Sequence, residues 1–181
     1  MSGKLTLISS AIVTSSTSTV DFTSGIDSTY DEYQFWWFGY NASGQNEVRI
    51  IPSTNGSDFS GIVKTTTWFH AYHTENGSSA AVAYNTAYDR AQSTAQQMLT
   101  KELESGSDDG DAGCVHVFSP SSTSKVKHFI SRSSCHSISN DAQDVFVAGY
   151  WNTTTAFTAF RFHPGGSDTI DKGEFYLYGV G

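Results

Sequence analysis

The amino-acid sequence predicts an all-β protein: one antiparallel sandwich with a single helix inserted in it. Three observations carry this reading. Aromatic residues make up 14% of the chain, while Lys and Arg together number only 10 of 181, a profile that favours strands over helices. Short apolar runs bounded by Gly, Pro, Asn and Ser recur along most of the chain. One segment alone, 85–104, carries its less polar residues at helical spacing.

Leu5–Thr14 and Ser18–Phe22 read as strands separated by a Ser/Thr cluster. Ser28–Tyr40 follows as a long strand, with Tyr33, Phe35 and Trp37 on one face and Trp36, Phe38 and Tyr40 on the other. A surface strand needs only one apolar face, so either this strand is sandwiched inside the domain or its second face is covered by a loop or another subunit. Trp36, Phe38 and Tyr40 are therefore the candidate interface residues. Glu47–Ile51 is a strand that Pro52 ends, because proline has no N–H for a ladder. Ile62–His73 is β-branched and aromatic, and reads as a strand.

In Asn85–Glu104 the residues Tyr88, Ala91, Ala95, Met98, Leu99 and Leu103 recur at steps of three and four, as on one helix face. Asn85 would cap this helix and Gly106 would end it. The stretch 105–113, SGSDDGDAG, reads as a solvated acidic loop. Cys114–Phe118 and Lys125–Ser133 flank a hairpin centred near Ser121–Ser124, which would set Cys114 opposite Lys127–Phe129. Val145–Trp151, Ala156–His163 and Gly173–Gly179 complete the set. About nine or ten short strands at this spacing predict a jelly-roll-like β-sandwich occupying residues 1–181 as one domain.

A chain of 181 residues buries roughly 70% of its unfolded surface and needs neither metal nor disulfide to hold a core. The net charge of −8 and the lack of a basic patch exclude nucleic acid as a partner. No apolar run reaches the roughly 18 residues of a membrane helix, so no membrane insertion is expected. The N-terminal MSGKLTLISSAIV is too short and polar for a signal peptide. The sequons at Asn41, Asn55, Asn76 and Asn152 are the chance yield of a Ser/Thr-rich chain. Cys114 and Cys135 are expected as two reduced thiols.

No catalytic residue, metal site or cofactor is expected. His70 and His73 are three apart in a strand, which points them to opposite faces. Asp108, Asp109 and Asp111 lack the further oxygens and terminal Glu of a calcium loop. Asp31 and Glu32 are adjacent, so they diverge and make a poor carboxylate pair for sugar hydrolysis. No nucleophile elbow, phosphate loop, dinucleotide fingerprint or zinc-helix motif occurs. Trp68, Tyr72, Tyr150 and Trp151 sit at strand ends. They either stack on a glycan or fill the core or a subunit interface.

Four segments carry a resemblance: DFTSGIDSTYDEY (Asp21–Tyr33), VFSPSSTSKVKHFISR (Val117–Arg132), AGYWNTTTAFTAFRF (Ala148–Phe162) and GEFYLYGVG (Gly173–Gly181). Together they resemble a family of small virion proteins of tailed phages of aquatic bacteria, cyanophages and related marine podoviruses. The insert Asn85–Glu104 and the FWWFGY end of the long strand depart from that pattern. The resemblance implies a non-enzymatic structural part of the virion. Its expected place is the particle exterior, in the tail or its fibres, serving assembly or host attachment. Partners implied are copies of itself, with a trimer as first guess, other virion proteins and a host surface glycan. A capsid decoration or cement protein and a carbohydrate-binding adhesin, with or without glycan-cleaving activity, are the alternatives.

Overall fold

The computed structural model describes residues 3–181, and these are all-β, with no helix among the described residues. Two antiparallel sheets form. The larger has nine strands, running β1 (Leu5–Val13), β13 (Ile170–Val180), β3 (Glu32–Ala42), β9 (Asp111–Phe118), β10 (Lys127–Ser137), β11 (Asp141–Trp151), β5 (Lys64–Thr74) and β6 (Ala80–Tyr84), with β7 (Arg90–Ser93) also beside β5. The smaller has four: β2 (Val20–Phe22), β12 (Ala159–His163), β4 (Arg49–Ser53) and β8 (Gln97–Met98). The strands divide nine to four, not evenly between two sheets as a jelly roll would have them.

The core lies between the sheets. Inward-facing Tyr33, Phe35, Trp37, Val115, Val117, Val145, Val147, Trp68 and Trp151 of the large sheet are buried, as are Val20, Phe22, Ile50, Phe160 and Phe162 of the small one. Phe35 bridges the layers, with ring centroids 4.8 Å from Phe160 and 5.7 Å from Phe162. Gly113 lies opposite Trp37 in the ladder, and an added Cβ there would meet the indole at 2.3 Å.

The expected helix over Asn85–Glu104 does not form. The Asn85 side chain accepts the Ala87 N–H at 3.0 Å and makes a local turn where a helix cap was expected. Beyond it the chain extends: β7 joins the large sheet at β5, and β8 joins the small sheet at β4. Tyr88, Leu99 and Leu103 are buried, but Ala91 and Ala95 are exposed, so the segment has no continuous apolar stripe to bury. Its burial comes from side chains reaching in singly, such as Gln97, which accepts the Thr66 hydroxyl at 2.9 Å. Gly106 caps nothing helical; its N–H donates to Asp109 in the following turn.

Other boundaries shift for identifiable reasons. β4 continues through Pro52, because β8 pairs only with Arg49 and Ile50 and leaves no ladder there for proline to break. The β9–β10 connection is longer than a tight hairpin, so Cys114 faces Arg132 and not Lys127–Phe129. Cys114 and Cys135 are free thiols, the first half-buried on β9 and the second buried on β10. Asp111 does not belong to the solvated loop. It opens β9, is 3% exposed, and accepts the Trp37 indole N–H at 3.3 Å.

Two predictions follow from the interior. Replacing Gly113 with Ala should destabilise by about 1–3 kcal/mol in chemical denaturation, because the buried Trp37 ring cannot move aside. Burial pushes the Asp111 carboxyl up to about 8. The folded chain thus keeps a proton that the unfolded chain releases near pH 4, so this residue's stabilising contribution is full below about pH 4 and is lost as pH rises toward about 8. Asp111→Asn should remove that slope, raising stability at pH 8 by about 1 kcal/mol or more while changing it little at pH 4, as read from paired denaturant titrations.

Candidate functional site: the outer face of the large sheet

The small sheet covers one face of the large sheet, and nothing among the described residues covers the other. Strand alternation decides what stands there. In β3 the outward residues are Glu32, Gln34, Trp36 and Phe38. Gly39 then takes φ +57° in a register shift between Phe38 and Tyr40, and this bulge inverts the alternation. Tyr40 therefore turns inward, 1% exposed, against Phe175. Of the three residues expected at an interface, Trp36 and Phe38 lie outside together and Tyr40 is core.

A transverse row crosses seven strands on this face: Tyr176, Trp36, Cys114, Arg132, Phe146, Phe69 and Tyr84 are successive ladder partners. Trp36 stacks on Phe38 at 6.1 Å, and Phe146 on Phe69 at 5.0 Å with rings 5° from parallel. Leu5, Leu7 and Ile12 of β1 and Ile130 of β10 add exposed aliphatic surface. Two shallow grooves meet at Arg132. One, of about 400 Å³, is lined by Trp36, Phe38, Cys114 and Asp144, and the other, of about 320 Å³, by Phe69, Cys114, His116, Ile130 and Phe146.

The charged and polar groups around Trp36 and Arg132 on this face are paired with one another. The Arg132 guanidinium grips Asp144 through two bonds of 2.8 and 2.7 Å, with its plane over Phe146. The Trp36 indole donates to Gln34 at 3.0 Å, and the Gln34 amide donates to Glu32 at 2.8 Å. Glu32 also accepts from His116 Nδ1 at 2.7 Å, and His116 Nε2 lies 3.6 Å from Cys114 Sγ. The contact with Cys114 raises the proton affinity of His116, burial opposes this, and Glu32 adds to it. Sequence reasoning missed this cluster, although the i, i+2 spacing of Cys114 and His116 on a strand signals a shared face.

The expected glycan-contact set is not assembled. Trp68 and Trp151 are fully buried between the sheets, because both fall on inward positions of their strands. Tyr72 is half-buried and touches Ser79, while Tyr150 stands at the other end of the β5–β11 ladder against His128. His70 is buried and bonded to Gln143 at 2.9 Å, and His73 is exposed, so the two diverge. Among the described residues no group of three metal-ligating side chains converges. Comparison with protein-family models, with curated proteins and with solved structures finds no match.

The Glu32–His116–Cys114 chain makes a direct prediction. Glu32→Gln and Cys114→Ala should each lower the His116 pKa relative to the parent chain, as read from the imidazole resonances in an NMR pH titration.

Proposed function

We propose that this chain is a non-enzymatic structural part of a phage virion, carried on the particle exterior in the tail or its fibres and serving assembly or host attachment. The observation that carries this reading is the uncovered outer face: apolar, aromatic and with the charged groups at its centre already paired. Such a face loses little on desolvation, because its charges take their partners with them. Eight strands about 4.8 Å apart and up to about 35 Å long give it roughly 1,000 Å², enough for the ~800 Å² per partner of a stable interface.

The occupant we assign to this face is a second copy of the chain. Sheet faces pack on one another readily when both are flat and apolar, and a patch that binds its own copy closes as a two-fold pair. This geometry favours a dimeric contact over the trimer that the resemblance suggests. The four family-like segments fall on β2–β3, the β9–β10 connection, β11–β12 and β13, the scaffold of both sheets, and they supply the virion setting. Tail and capsid placement are separated by counting copies per particle.

Sedimentation of the purified chain should show a concentration-dependent dimer. The pair Trp36→Ala and Phe38→Glu should weaken it by about tenfold or more, with folding stability unchanged to within about 0.5 kcal/mol. Tyr40→Ala should do the reverse, costing about 3–5 kcal/mol of stability through a core cavity. A wild-type chain that stays monomeric at high concentration would refute the assigned contact.

A further inference from the structure

We propose that Cys114, His116 and Glu32 form a nucleophilic thiol site that accepts an apolar acyl group from an activated ester. Cys114 and His116 are two apart on β9, so both stand on the outer face of the large sheet. The thiol sulfur lies 3.6 Å from His116 Nε2, and His116 Nδ1 lies 2.7 Å from Glu32 Oε1. Nucleophile, base and orienting carboxylate are thus in line. An ionised carboxylate can only accept, so Nδ1 carries the proton and Nε2 is left free to take one from the thiol. Glu32 is itself fixed by the Gln34 amide, and Gln34 by the Trp36 indole. Arg132 is the ladder partner of Cys114, and Asp144 holds its guanidinium in position.

The substrate class comes from the groove of about 320 Å³ that Cys114 and His116 share with Phe69, Ile130 and Phe146. Its walls are apolar apart from the catalytic pair, Ser131 and Arg132, and they suit an acyl chain. In the step, His116 Nε2 takes the thiol proton and Cys114 Sγ attacks the ester carbonyl carbon. The S–C bond forms and the C–O bond to the alcohol breaks. The proton passes from His116 to the departing oxygen, and a thioester remains on Cys114. No redox partner is required. Cys135 is the internal contrast: it is buried, and burial pushes its thiol up to about 12.

This inference does not rest on the proposed self-association. A docked second copy would shut the groove, so the site belongs to the unassembled chain. The test dilutes the full chain until sedimentation shows a monomer and then adds p-nitrophenyl hexanoate. One equivalent of p-nitrophenolate should be released, and peptide mass spectrometry should place one hexanoyl group on Cys114. Cys114→Ser should abolish that adduct, His116→Asn should slow it by about 100-fold, and Glu32→Gln by about tenfold. Cys135→Ala should leave the rate unchanged. Fluorescence of the buried Trp37, Trp68 and Trp151 reports whether each variant is folded. No adduct on Cys114 in the folded monomer, or an adduct formed equally fast by folded His116→Asn, overturns the proposal.

Discussion

Phe35 packs against both Phe160 and Phe162, and this contact holds the small sheet on the large one. The small sheet needs it. Its strands are only two to five residues long, too short to persist as a free sheet. Phe22, Trp37 and Trp151 extend the contact to either side, with centroid distances to its rings of 5.5 Å for Phe22–Phe35, 6.2 Å for Trp37–Phe162 and 5.9 Å for Trp151–Phe160. Each such pair contributes about 0.5–1.5 kcal/mol beyond its buried area. Because most of these rings come from inward positions of β3 and β12, strand alternation fixes everything that the opposite faces present.

On β12 the opposite face is short and well managed: Arg161 pairs with Asp21 and lies over Phe59. On β3 it is part of a sheet more than twice as wide as its cover. Nine strands against four leave a broad apolar surface that the described residues do not shield. The Gly39 bulge limits this surface by turning Tyr40 into the core, where burial and the nearby Asp111 push its phenol far up. Without the bulge a third aromatic ring would stand outside beside Trp36 and Phe38.

The all-β class was legible in the sequence because alternation and turn residues act locally. The positions of β3, β5, β10 and β11 followed from it to within a few residues at most of their ends. The extended path of 85–104 was not legible, because the helical periodicity read there came from Ala and Met as much as from large apolar residues. What decides that segment is pairing with β5 and β4, remote in sequence. The faces were half legible. Trp36 and Phe38 lie where alternation places them, but a single left-handed residue at Gly39 reverses the order beyond it. Trp68 and Trp151 were ambiguous because burial depends on which strand positions the small sheet happens to cover. The Cys114–His116–Glu32 cluster needed the β3–β9 register, which no local signal contains.

The polar groups argue for a docked outer face more strongly than the apolar ones do. In the interior, the Tyr40 hydroxyl, one Asp111 oxygen and the Trp68 and Trp151 indole nitrogens have no hydrogen-bond partner within the chain. On the outer face, where water could satisfy each group singly, Glu32, Gln34, Trp36, His116, Arg132 and Asp144 are bonded to one another. Holding long side chains in fixed pairs costs rotamer entropy and gains little against water. It gains much when water leaves, because each unpaired polar group would then cost about 1–3 kcal/mol. The arrangement therefore suits a face that spends part of its life dry, whether beneath a second copy or around an acyl chain in the groove beside Cys114.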